Sequence, residues 1–339
     1  MKKILSLPHV KHKSTCYING LYDILTWKGG KYEYFLLPII GGMAGFAYLK
    51  FKMAKPPLMV YWGNSPKYLL KELSQIIAYE EITIEGRGWK TTSEKIKESI
   101  DSGMPVVAGA LDMYFLNYYP SLYNKIHIPI HYVLITGYDD ENQIFYLLDC
   151  SYDQLQEITY MDLMKSMDVN VPGVSKKNTI RIFKLPDNLP EESELAEKGL
   201  KYKAERMLHP PVSMTGLPAM RKLAREIKEW TKKECFDHLV AYAGMSPPLI
   251  PKNLKECNGL RFRQAELLDK LGIKYKKTCW TEAGKLFKKS GELIIDLCKK
   301  ALECDGKKCS EVMINIAYLE ETAYRMISTF KVLNSCSNS

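Results

Sequence analysis

His131-Tyr132-Val133-Leu134-Ile135-Thr136-Gly137-Tyr138-Asp139-Asp140, followed after a polar spacer by Ile144-Phe145-Tyr146-Leu147-Leu148-Asp149, reads as two β-strands joined by a turn. Both runs are rich in β-branched and aromatic residues, and Asp139-Asp140-Glu141-Asn142 between them is turn-forming. The pattern therefore puts a histidine at a strand start and an acid, Asp149, one hairpin later. A carboxylate on one ring nitrogen of a histidine fixes its tautomer and leaves the other nitrogen for a reacting group. Asp139 and Asp140 read as hairpin-tip residues, and His127, four positions before His131, competes with it from a Pro-bearing loop.

Working outward, the amino-terminal stretch Ser14-Thr15-Cys16-Tyr17-Ile18-Asn19-Gly20-Leu21 reads as a loop running into an apolar helix over 17–25. A helix amino terminus and a neighbouring imidazolium both favour a thiolate, the reactive form of cysteine. The plainer alternative is that a cysteine at a helix start is a small hydrophobe. Further periodicities predict a helix over 67–78, with Leu69, Leu70, Leu73, Ile76 and Ile77 on one face, and a charged helix over 93–102 capped by Ser93. Strands are expected over 81–85, 105–111, 131–138, 144–149 and 179–185. The stretch 187–194, flanked and interrupted by Pro186 and Pro190, reads as a linker. Beyond it the pattern is helical, over 192–207, 216–233, 234–243, 258–271, 279–303 and 308–333. The expected architecture is α+β: a domain over 1–186 with an antiparallel sheet and an amino-terminal nucleophile helix, an α-helical domain over 187–333, and a disordered polar tail over 334–339.

The bulk composition sets limits. The chain has 339 residues, 46% hydrophobic and 26% charged, which is globular rather than disordered. Nine cysteines, an odd number without tight paired spacing, read as reduced thiols of a cytoplasmic protein. The start, Met1 to Pro8, resembles a signal peptide for three residues and then fails, because its apolar stretch is short and His9, Lys11, His12 and Lys13 follow. The most apolar window, 34–49, is too short for a spanning helix and contains Pro38, Gly41, Gly42 and Gly45. It reads as core packed near the Cys16 helix, and its glycines lack the Lys-Ser/Thr ending of a phosphate loop. Cys235, Asp237 and His238 have no matching second pair, and Cys298, Cys304 and Cys309 fail zinc spacing, so no metal is expected. The net charge of +9 is compatible with an acidic partner. Lysine pairs at 232–233, 276–277, 288–289, 299–300 and 307–308 crowd the helical half without interleaved aromatics, which argues against nucleic acid. Such pairs are solvated helix faces, or they dock an acidic protein. The apolar helices of that half can pack in cis or across a homodimer.

The order cysteine, histidine, acid resembles that of papain-like (cysteine peptidase-like) enzymes, and more of the chain resembles the butirosin-type acyltransferase family. The resemblance rests on Cys16, on Gly41-Gly42-Met43-Ala44-Gly45-Phe46-Ala47-Tyr48, on Gly103-Met104-Pro105-Val106-Val107, and on Asp112-Met113-Tyr114-Phe115-Leu116 with Tyr118. It continues through His131 to Asp140 with Asp149, and through Gly216 to Ala224 and Gly259 to Arg263. It implies a papain-like fold and an enzyme that takes an acyl group from a carrier-protein thioester to an amine. Cys16 is then the acyl acceptor, His131 the base and Asp149 its orienter. Asp112, Tyr114 and Gly42 are candidate substrate contacts. Related leader peptidases place a glutamine shortly before the cysteine, whereas Val10 and Lys11 stand here. The oxyanion site would then use the Cys16 backbone N–H with Ser14 or Thr15. The implied partners are an acidic acyl or peptidyl carrier protein, whose phosphopantetheine arm is the donor, and a small amine. No other cofactor and no membrane are implied. A cysteine hydrolase with the same three residues, and a binding module that has lost activity, are the competing readings.

Overall fold

The computed structural model describes residues 1–12, 16–51, 54–63, 66–244 and 250–329. In chain order the first elements are β1 (Lys2–Ile4), α1 (Cys16–Trp27), α2 (Leu36–Ile40), β2 (Ala47–Lys50), β3 (Leu58–Tyr61), α3 (Pro66–Ile77), β4 (Glu80–Ile84) and α4 (Trp89–Asp101). Then come β5 (Val106–Leu111), β6 (His131–Asp139), β7 (Ile144–Leu148), β8 (Gln156–Thr159), α5 (Tyr160–Met167) and β9 (Ile180–Lys184). The remainder is helical: α6 (Glu192–Leu208), α7 (Gly216–Glu226), α8 (Lys233–Ala243), α9 (Arg261–Lys274), α10 (Thr278–Leu302) and α11 (Gly306–Ser328). The fold is α+β, an antiparallel sheet followed by a helical region. Among the described residues no helix is long and apolar enough to cross a membrane.

The chain divides into two compact units, Met1–Leu37 with Ser65–Glu192, and Pro38–Asn64 with Ser193–Ser339. The first holds a seven-stranded sheet in the order β4-β9-β5-β6-β7-β8, with β1 also paired to β6. β6 is its central strand. It pairs with β5 from Leu111↔His131 to Val106↔Ile135, then with β1 from Ile4↔Gly137 to Lys2↔Asp139, and with β7 throughout Leu134↔Leu148 to Asp139↔Ile144. Every residue of β6 is buried. Val133 and Ile135 join Val106, Ala108, Phe145 and Leu147 in a core completed by Ile96 and Ile100 of α4 and Leu163 and Met167 of α5. On the opposite side of the sheet α1 lies against Val107 and Leu134, so closely that a Cβ on Gly20 would sit 2.7 Å from Val107 Cγ2. Burial on both faces is why this hairpin reads as continuous apolar runs instead of alternating ones.

Several elements depart from expectation. α4 begins at Trp89 with Gly88 at its amino-terminal flank, and Ser93, expected as a cap, lies within the helix with its hydroxyl on the Lys90 carbonyl. The expected helix 216–233 is interrupted: α7 ends at Glu226, a 3-10 turn covers Ile227–Glu229, and Trp230 is extended at φ −72°, ψ 130°. β1, β2, β3, β8 and α5 carry no sequence signal long enough to read. The expected tail, 334–339, lies outside the described residues.

The larger difference concerns residues 38–64, expected within the first domain. They belong to the helical unit. Tyr48 N–H donates to the Met214 carbonyl and Gly216 N–H to the Phe46 carbonyl, both at 2.9 Å. Arg261, fully buried, donates through Nη1 to the Gly45 carbonyl at 3.1 Å and through Nε and Nη2 to Glu320 at 2.7 and 2.9 Å. The Gly41–Gly45 turn is thus held by an arginine more than two hundred residues downstream. The exchange back to the helical unit falls between Glu192 and Ser193, later than the expected boundary at 186.

Candidate active site

Two β6–β7 features bring His131 and Asp149 together: His131 opens β6, and Asp149 follows the last residue of β7, whose Leu148 pairs with Leu134. His131 Nε2 donates to Asp149 Oδ2 at 2.7 Å, with the side chains 7% and 0% exposed. The carboxylate accepts three further bonds: from the Tyr118 hydroxyl to Oδ2 at 3.1 Å, and to Oδ1 from the Tyr119 hydroxyl at 2.7 Å and the Ser151 N–H at 2.9 Å. Four donors on one buried carboxylate favour its ionised form. Burial alone would raise the Asp149 pKa, yet the charge and hydrogen bond of His131, with those donors, hold it below the ordinary value.

Cys16 is the first residue of α1 and is half-buried. Burial disfavours the imidazolium, but the Asp149 charge and hydrogen bond, followed by those of Cys16, lift His131 to about 10. Since Asp149 occupies Nε2, Nδ1 is the ring nitrogen left for the thiol. The acidities of Tyr34, Tyr132 and Cys150 are weakened, first by burial; Tyr132 is raised to about 12. Cys150 is buried and its thiol pushed well up, which keeps it protonated beside the pair. A half-buried sulfur at a helix amino terminus, an imidazolium and an oriented carboxylate form an arrangement suited to nucleophilic attack at an acyl carbon.

Among the described residues, ligand atoms of His131, Asp149 and Cys150 lie within 4.8 Å of one another, a spacing a metal ion could bridge. The Asp149 oxygens are already engaged by four N–H and O–H donors. Burial also disfavours the Cys150 thiolate that a metal would need. The donor set as it stands is that of a hydrogen-bonded site.

Asp112 flanks a 3-10 turn over Met113–Phe115, accepts from the Tyr114 and Ile128 N–H groups at 3.1 Å each, and binds His127 Nδ1 at 2.6 Å. Tyr114 stacks on His127 at 4.1 Å between ring centroids. Asp112, Tyr114 and the competitor His127 therefore form a loop cluster of their own, with the Asp112 oxygens committed to it. Gly42 lies in the helical unit at φ +101°. Ser14 and Thr15 lie outside the described residues. Sequence reasoning did not assign Tyr118 and Tyr119 to Asp149; an aromatic doublet in a loop was the only signal. It also missed Asn19 and Asp23, two polar residues four apart on the buried face of α1.

Tyr119→Phe removes one donor to a buried carboxylate, and such bonds contribute about 1.5–3 kcal/mol. The variant is expected to unfold at correspondingly lower denaturant concentration. An unchanged midpoint would mean that Tyr119 does not bond Asp149 in solution.

The class defined by fold and site is an α+β domain with a helix-start cysteine beside a buried histidine–aspartate pair. Residues 15–150 of the chain match the family described as butirosin biosynthesis protein H, N-terminal, and residues 162–253 match a domain of unknown function, DUF4872. The first match begins just before Cys16 and ends just after Asp149, so it encloses all three residues. No curated protein matches the chain.

Proposed function

We propose that the protein is a biosynthetic acyltransferase of papain-like type that forms an amide from an acyl thioester and a small amine, with Cys16 as nucleophile, His131 as acid–base and Asp149 as orienter. The observation that carries this reading is the placement of Cys16 at the start of α1 under the influence of a buried His131–Asp149 pair. The match to a butirosin biosynthesis protein over 15–150 supports a role in antibiotic assembly. An amide-forming step of the kind found in closthioamide biosynthesis is the narrower form of the same chemistry.

In the first half-reaction the Cys16 thiolate attacks the thioester carbonyl carbon. The bond from that carbon to the donor sulfur breaks, and the departing thiolate takes the proton of the His131 imidazolium. Exchange of one thioester for another is nearly isoenergetic. In the second half-reaction an amine nitrogen attacks the acyl-enzyme, neutral His131 takes its proton, and the bond from carbon to Cys16 sulfur breaks. The cycle ends with thiolate and imidazolium restored. The donor we favour is an acidic acyl or peptidyl carrier protein presenting phosphopantetheine, which the net charge of +9 would attract.

The test is a competition for the acyl-enzyme. With a short-chain acyl pantetheine thioester and a panel of primary amines, amide is expected to exceed free acid by at least about tenfold at saturating amine, since a bound amine has a large effective molarity. Free acid as the main product at every amine concentration would make the protein a hydrolase.

A further inference from the structure

His9 entered the sequence reading only as a residue that ends an apolar start. In the fold it is buried at the junction of two segments that the site depends on. Its side chain is 3% exposed and that of Asp23 is 2% exposed. His9 Nδ1 bonds Asp23 Oδ2 at 2.6 Å, and Nε2 donates to the carbonyl of Tyr152 at 2.8 Å and, at 3.1 Å, to that of Asp149 itself. Asp23 lies on α1, two turns after Cys16, and also accepts from Asn19 Nδ2 at 3.2 Å. One ring therefore ties the helix that begins with the cysteine to the turn that carries the acid.

We propose that His9 is a positioning residue of this site, holding the start of α1 in register with Asp149 through the bridge from Asp23 to the Asp149 and Tyr152 carbonyls. The inference rests on the reading of Cys16, His131 and Asp149 as the reacting group. Two carbonyls at Nε2 require a hydrogen there, so the tautomer is set. A second proton lies between Nδ1 and Oδ2, and the bridge survives whichever atom holds it. Burial raises the Asp23 carboxyl to about 6 in spite of His9, while the Asp23 hydrogen bond and charge outweigh burial and raise His9. Among the described residues the other charged or titratable groups in reach are His12, whose imidazolium is disfavoured by burial and then by His9, Asp153, which Lys11 holds low, and Tyr22 and Tyr34, whose hydroxyls are made weaker acids first by burial and then in part by the Asp23 charge.

The geometry allows the bridge to be cut at either end. In His9→Gln the amide nitrogen stands where Nε2 was and keeps the carbonyls but loses Asp23. In His9→Asn it stands where Nδ1 was and keeps Asp23 but loses the carbonyls. Asp23→Asn copies a protonated Asp23 and keeps the bridge; Asn19, whose Oδ1 has no partner among the described residues, can turn its amide to accept from it. The measurement is the rate of iodoacetamide labelling at Cys16 between pH 5 and 9, mapped by peptide and compared with the exposed Cys304 in the same molecule. In the wild type Cys16 is expected to label faster than Cys304 at pH 6. His9→Gln and His9→Asn are expected to slow Cys16 labelling about tenfold at pH 6 and far less at pH 9, because a displaced pair stabilises the thiolate less. Asp23→Asn is expected to stay within about twofold of the wild type on the same grounds. Should neither His9 variant fold, Asp23→Ala cuts the bridge at the helix and carries the same expectation.

Bridge-cutting variants with the wild-type pH profile overturn the inference, whatever their thermal stability. So does Asp23→Asn slowed as much as His9→Asn, since the charge of Asp23 and not the bridge would then matter. A wild type in which Cys16 labels no faster than Cys304 at pH 6 overturns the functional reading and this inference with it.

Discussion

Cys16→Ser is expected to fold as the wild type does, to form no acyl adduct from a thioester donor, and to lose turnover by a factor on the order of 10⁴ or more. The fold should be indifferent because Cys16 is half-buried and its replacement changes one atom. The chemistry should not be. His131 is lifted to about 10 by Asp149 and Cys16 together, so at neutral pH it is a cation beside sulfur. A serine hydroxyl cannot supply the matching anion, and its pairing with a protonated imidazole is an acid facing an acid. Intact-protein mass after incubation with an acyl thioester is the direct measurement. The wild type should gain one acyl group, lost on addition of amine, and the serine variant none. An adduct of equal yield on Cys16→Ser would place the acyl group elsewhere and end the proposal that Cys16 carries it.

The parts of this site that were legible in sequence share a physical cause. β6 and β7 are buried on both faces, so their composition is dominated by packing, and the histidine and acid at their ends stand out against it. The start of α1 was legible because an apolar helix follows Cys16 directly. What was illegible depends on pairings between distant segments. Nothing local marks Tyr118 and Tyr119 as donors to a carboxylate thirty residues on, or His9 as a partner of two carbonyls more than 130 residues away. The unit that residues 38–64 join was illegible for the same reason. Their strands are four residues each, and the contact that anchors their glycine turn comes from Arg261. Short strands and single buried arginines have no periodicity to read.

Asp149→Asn separates the orienting role of the acid from its volume, and it is expected to lower both turnover and stability with a defined pH signature. Turnover should fall by a factor on the order of 10³–10⁴, because an amide can offer N–H to Nε2 and leave the proton on the nitrogen facing Cys16. Stability should fall by about 3–5 kcal/mol where the pair is fully charged, the usual cost of breaking a buried ion pair from one side. His131 is raised from 6.5 to about 10, so its contribution is fully present below pH 6.5 and is lost as pH rises through 10. Asp149 is lowered from 3.8, so its contribution is present above that value and is lost as pH falls through its depressed pKa. The difference in unfolding free energy between wild type and variant should therefore be widest between about pH 4 and 6.5 and close towards pH 10. Urea unfolding at pH 5.5, 7.5 and 9.5 measures it. A difference that stays flat over that range would mean that the folded protein does not hold the His131–Asp149 ion pair, and that the donors gathered around Asp149 serve the fold alone.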